Sequence, residues 1–109
     1  MQNPKKEKDA EAWYFKGRIY NSLSQQENMD LNQSYDLKVE SYAAFRKNQN
    51  LDSKDIRMMF EGYNSYLILY SGFYDLGSAF FNAKKFKEAI NSFKKAIEVK
   101  DYMLSKKYE

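Results

Sequence analysis

The chain has 109 residues, 43% of them apolar and 30% charged, which is the balance of a globular protein at one domain's length. It contains no cysteine and no histidine, and this removes disulfides, thiolate chemistry, the usual zinc sites and imidazole acid–base catalysis. A net charge of +3 is too small to signal nucleic-acid binding by itself, and no apolar run approaches the roughly 20 residues that span a bilayer.

Four glycines and one proline favour helices over a turn-rich β fold, and the opening MQNPKKEKDAEAW is charged, without the apolar middle of a leader peptide. From Ala10 to Ser22, helical spacing puts Trp13, Gly17 and Tyr20 on one stripe. Residues 23–33 lose that periodicity and read as a polar loop, after which Ser34 can cap a second helix with Tyr35, Val39, Tyr42 and Phe45 facing inward. RKNQNLD ends that helix.

The longest predicted element covers residues 53–82. Asp52 or Ser53 is its N-cap, and Asp55 in the first turn suits the helix dipole. Its apolar stripe carries on through Gly62 and Gly72, so the periodicity predicts one continuous helix, with any bend near Ser71-Gly72. NAKK at 82–85 makes a corner. A further helix over 86–99 is expected to turn Phe86, Ala89, Ile90, Phe93, Ala96 and Ile97 inward and Lys87, Glu88, Asn91, Lys94, Lys95 and Glu98 outward. The closing KDYMLSKKYE stays helical in pattern with no stop signal, as expected of a stretch cut from a longer protein.

Small residues inside these helices need a reason, because a glycine in a helix interior costs about 1 kcal/mol relative to alanine. Gly77 and Ala89 stand at comparable distances from the corner, where two antiparallel helices can approach closely only if each offers a notch. Phe80, Phe86 and Phe93 are the candidate rings to fill those notches. Burying each large side chain contributes roughly 1.5–3 kcal/mol, more than the glycine costs. This interlock of small and large residues predicts an all-α fold of antiparallel helical hairpins with one extended central helix.

The residues that build the interlock also carry a family resemblance. Phe73, Leu76, Gly77 and Phe80, then Ala89, Phe93 and Ala96, resemble the tetratricopeptide repeat pattern, with Asp101 where the family has proline. Trp13, Gly17 and Tyr20 resemble a second, weaker copy in which Lys16 replaces leucine and Tyr42 takes the role of Phe93. In this register the excess over the family's period lies partly in the 23–33 loop and partly in the long helix. The expected organisation is a single domain over 1–109: a degenerate first repeat with an insertion over 10–50, a second repeat over 53–103 with an extended first helix, and a tail over 104–109. The whole resembles bacterial tetratricopeptide proteins. That resemblance implies a periplasmic or cell-envelope location, with the cytoplasm as the alternative.

No catalytic constellation, cofactor site or metal site is expected: Glu88, Glu98 and Asp101 read as solvated carboxylates, and Gly72 and Gly77 sit in a helix rather than a phosphate loop. The resemblance implies a scaffold that binds a protein or peptide in a concave groove lined by the first helix of each pair. Carried over position by position, the groove residues are Tyr14, Arg18 and Asn21 in the first copy and Tyr74, Ser78, Phe81 and Asn82 in the second. The set that clamps a terminal carboxylate in chaperone-binding relatives is not reproduced. Structural self-association is the second reading, because stacked repeats need about three units for stability. A basic nucleic-acid-binding module ranks last. The lysines between 84 and 107 lie on an outer helical face without accessible rings beside them, so neither nucleic acid nor membrane insertion is expected.

Overall fold

The computed structural model describes residues 4–51 and 56–107. These residues form helices α1 (Pro4–Ser24), α2 (Leu31–Leu51), α3 (Ile56–Phe60), α4 (Asn64–Asn82) and α5 (Phe86–Lys107), and no strand occurs among them. Helices α1 and α2 pair as one hairpin, α4 and α5 as a second, and α2 lies against α4 where the hairpins stack. The architecture is all-α and hairpin-based, as the pattern predicts.

The predicted helix over 53–82 is not continuous. Helix α3 closes with the Tyr63 amide donating to the Met58 carbonyl (3.0 Å) while Gly62 takes a left-handed φ of 63°. A six-to-one backbone bond around a left-handed residue is the glycine-dependent stop of a helix. Tyr63 is also left-handed, at φ 61°, and α4 starts immediately after it. The apolar stripe runs across this break because a glycine fits either an exit or an interior; periodicity alone does not separate the two. The predicted caps at Asp52, Ser53 and Asp55 lie outside the described residues.

The cap of α2 is Asp30 rather than Ser34. Its carboxylate accepts from the Asn32 and Gln33 amides (3.1 and 3.3 Å), which satisfies donors that the first turn leaves orphaned. Ser34 is buried inside α2 and donates its hydroxyl to the Ser24 carbonyl (2.7 Å). The corner after α4 stops by the same device as α3. Lys84 is left-handed (φ 62°), its amide donates to the Phe81 carbonyl, and the Lys85 amide donates to that of Phe80, both at 2.9 Å.

The two hairpins close on the same contact. A Cβ placed on Gly77 would lie 2.6–2.8 Å from ring carbons of Phe93, and one on Gly17 would lie 2.6–2.8 Å from ring carbons of Phe45. Phe45, not Tyr42, therefore plays the part of Phe93. One step of the register follows: Ser41, Phe45 and Asn48 stand where the second hairpin has Ala89, Phe93 and Ala96. Tyr42 points instead into the seam between hairpins, edge-on to Tyr66 and Tyr102 with centroids at 6.2 and 6.3 Å.

This register makes the first hairpin a polar zipper. The α2 row facing α1 is Ser34, Lys38, Ser41, Phe45 and Asn48, all buried. The Ser41 hydroxyl donates to the Gly17 carbonyl (2.6 Å) and the Asn48 side-chain Nδ2 donates to the Ala10 carbonyl (2.8 Å). Lys38 donates to Asn21 Oδ1 (3.0 Å) and to the Ser24 hydroxyl (2.9 Å). A polar group buried without a partner costs about 1–3 kcal/mol, and here the α1 backbone and side chains supply the partners.

The second hairpin is apolar, but α5 is rotated from its predicted orientation. Its buried row is Ala89, Ser92, Ala96 and Val99, with Phe93 half-buried in the Gly77 notch. Phe86, Ile90 and Ile97, expected inside, each keep more than half of their surface exposed. Two apolar rows run side by side on this helix, and the glycine notch decides which of them the neighbouring helices cover.

Candidate partner-binding surface

The exposed row of α5 continues onto α4. Tyr74 and Phe81 stand seven residues, two helical turns, apart on α4, and both are more than half exposed. Tyr74 meets Phe93 edge-on with ring centroids at 5.4 Å, and Phe81 meets Phe86 in the same way at 5.3 Å. These pairs join the two helices into one apolar face of Tyr74, Phe81, Phe86, Ile90 and Ile97. On α5 that row lies about half a turn around from Lys95 and Tyr102, whose side chains reach the rings of α2. The face therefore points away from the first hairpin.

The residues predicted for a groove separate into two groups. Arg18, Tyr74, Ser78, Phe81 and Asn82 are exposed. Tyr14 and Asn21 are buried, at 4% and 8% exposure, and both make internal bonds. Tyr14 donates its hydroxyl to Glu61 Oε2 (2.8 Å), while Glu61 Oε1 accepts the Ser65 amide (3.1 Å) and so helps cap α4. Asn21 is occupied by Lys38. The first-copy part of the predicted groove thus reduces to Arg18, because two of its three residues hold helices together.

Gly77 is flanked in the notch by the pattern that carries the family resemblance, and a match to a family model agrees with it. The tetratricopeptide repeat family model matches residues 70–102. Over that stretch the second hairpin resembles a single tetratricopeptide repeat. No curated protein and no solved structure matches the chain. Within the repeat, Phe73, Leu76, Phe80, Ala89 and Ala96 are all buried, so the positions that identify it are the ones that build it. The matched segment starts at Tyr70, inside α4, and therefore omits the first turn and a half of that helix.

The residue that sequence reasoning missed is Lys38. It is 3% exposed, and its ammonium sits where a Cβ on Gly72 would come within 2.7 Å, so Gly72 is the notch that admits a charge between the hairpins. Burial pulls its pKa down to about 8, partly opposed by the Asp75 carboxylate. A lysine spaced three and four residues from Ser41 and Ser34 is the available signal, because that row lies on one helical face. Tyr66 is a second buried polar group. Its hydroxyl has no hydrogen-bond partner, and burial, followed by the neighbouring Tyr102 and Tyr42, pushes its pKa up.

Among the described residues no group of three or more potential metal-ligating side chains occurs, and no helix is long and apolar enough to cross a membrane.

Proposed function

We propose that this chain docks a protein partner on the aromatic end face of its repeat. Tetratricopeptide repeats are protein–protein interaction modules. What carries the finer reading is the exposed row Tyr74, Phe81, Phe86, Ile90 and Ile97: large apolar side chains contiguous across two helices, already ordered by ring-on-ring contacts. Preordered aromatic anchors lose little freedom on binding, and contiguous exposed apolar patches mark interaction sites. Ser78 lies between Tyr74 and Phe81 on the same helical face, and Asn82 at the end of α4 supplies a polar group beside them, whereas Arg18 is on α1, away from this face. The first hairpin serves as a degenerate repeat that covers the opposite side of α4.

A photo-crosslinking side chain in place of Ser78 tests the reading. The expected result is a crosslinked product that disappears in the Tyr74→Ala/Phe81→Ala variant and persists in Lys87→Ala/Lys94→Ala. Loss with the lysine pair and retention with the aromatic pair would refute it. Self-association is the second reading, favoured by the same apolar face; it predicts a crosslinked product at twice the chain's 13.0 kDa and a sedimenting dimer.

A further inference from the structure

We propose that the cleft between α2 and the second hairpin is a receptor for an arginine side chain of a protein partner. The cleft has a volume of about 210 Å³ and is lined by Asn32, Tyr35 and Asp36 from α2, Phe80 from α4, and Glu88 and Asn91 from α5. That is below the roughly 300–1,000 Å³ of small-molecule pockets and suits one side chain. Phe80 is buried and forms the floor. Tyr35 is held in place edge-on to Phe73 at 5.7 Å.

The charge of the lining is the main argument. The chain is net positive, and lysines crowd the start of α5, yet the cleft contains two carboxylates and no basic side chain. Neither Asp36 nor Glu88 forms an ion pair among the described residues; the ion pairs are Arg57–Glu11 and Lys95–Glu98. The Tyr35 hydroxyl is held above its ordinary pKa by burial first and then by the charges of Asp36 and Glu98, as expected where the local potential is negative.

The same seam shows what fills such a space. Farther along α2 and α5, Tyr42 and Tyr102 enclose a cation of the chain's own: the Arg46 guanidinium lies 4.0 Å from the Tyr102 ring and donates to the Tyr42 hydroxyl (3.2 Å), with Lys95 5.6 Å from the Tyr42 ring. At the other end of the seam the aromatic wall is present, carboxylates have been added, and the cation is missing. A guanidinium fits because it stacks on a ring while its fork of donors meets carboxylates and amide oxygens. This inference deepens the proposed interaction function by naming the chemistry of a second contact, away from the aromatic end face.

The probe is an acetylated and amidated Gly-Arg-Gly peptide titrated into the ¹⁵N-labelled full chain, reading the side-chain amide signals of Asn32 and Asn91. The expected result is saturable shifts confined to the cleft, no shift with citrulline in place of arginine, and affinity weakened about tenfold or more in Asp36→Asn/Glu88→Gln. Asp36 is exposed and Glu88 half-buried, and an unchanged helical spectrum verifies the fold. Tyr74→Ala/Phe81→Ala should bind the peptide normally, so failure of the end face and failure of the cleft are separate outcomes. Shifts that persist in the Asp36/Glu88 variant, that also appear at carboxylates elsewhere, or that lysine peptide reproduces with equal affinity would overturn the assignment, as would no shift at all.

Discussion

Replacing Lys38 with methionine should stabilise the protein at neutral pH and abolish a rise in stability that the natural chain shows in mild alkali. In the unfolded chain this lysine titrates at its ordinary value of 10.5, and in the folded protein at about 8. Between those values the unfolded state binds more protons, so stability increases with pH across the window. The full gap corresponds to about 3 kcal/mol, and about 2 kcal/mol of it should be recovered between pH 7 and 9.5. Methionine keeps a flexible stem against Gly72 but carries no charge to desolvate. The Asn21 and Ser24 oxygens lose a donor, which offsets part of the gain, leaving an expected increase of about 1–2 kcal/mol at pH 7. Above pH 10 the trend reverses, because Tyr14, Tyr35, Tyr42 and Tyr66 all resist ionisation in the folded state and the unfolded chain ionises first. Urea midpoints followed by circular dichroism at pH 7, 8, 9 and 9.5 provide the assay. A flat profile for the natural chain, or an unchanged slope in Lys38→Met, would refute the reasoning.

The other predictions concern the joints between helices. Gly77→Ala should destabilise by about 1–3 kcal/mol although alanine is the better helix former, because the new methyl meets a ring at 2.6 Å; in a Phe93→Leu background calorimetry should show the penalty shrink, and a constant penalty would contradict the notch. Lys84→Gly should raise stability by about 1 kcal/mol by relieving a left-handed lysine at the helix stop, as read from the midpoint of chemical denaturation. Tyr14→Phe should cost about 1–2 kcal/mol, since it removes the bond to Glu61 and leaves a carboxylate oxygen unpaired, and amide exchange at Ser65 should quicken. Asn48→Leu, of similar branched shape but larger, should cost about 1–3 kcal/mol through the abandoned Ala10 carbonyl and the added volume at a buried position; no cost in urea titration would show that the carbonyl finds another partner and that the seam accommodates the larger side chain.

The second hairpin was legible in the sequence because its packing is apolar. Gly77, Ala89, Phe93 and Ala96 declare a close approach, and the structure uses each of them that way. The first hairpin was legible only at Gly17. Its other contacts are made by Ser34, Lys38, Ser41 and Asn48, which a hydrophobicity pattern assigns to solvent, so the pattern gives the role of Phe93 to Tyr42, three residues before Phe45, the ring that fills the Gly17 notch. The break at Gly62 was hidden for a different reason. The left-handed φ of Gly62 and the bond from the Tyr63 amide to the Met58 carbonyl stop the helix, while the side chains on either side still fall on one stripe. For the candidate surface, residue type pointed to Tyr74 and Phe81, but whether Phe86, Ile90 and Ile97 face the core or solvent depends on the rotation of α5, which a local pattern does not contain.

The contrast between the hairpins bears on how the molecule divides its labour. Polar contacts to backbone carbonyls are directional, so the α1–α2 pairing has one register, and Phe45 in the Gly17 notch locks it. The apolar α4–α5 pairing leaves a second apolar row uncovered, and the ring pairs Tyr74–Phe93 and Phe81–Phe86 hold that row in shape without burying it. A stack built this way has a specified, largely self-satisfied hairpin on one side of α4 and an exposed apolar face on the other. Lys38 sits at the boundary, bonded to α1 and seated against Gly72 of α4, so the charge that is expensive to bury is also the element that keys the first hairpin to the repeat. Lys38→Met should therefore separate two quantities that usually move together. Stability should rise, while the unique seating of the hairpins, read from the dispersion of their amide resonances, should fall; if dispersion is unchanged, the lysine contributes no specificity and only its desolvation remains to be explained.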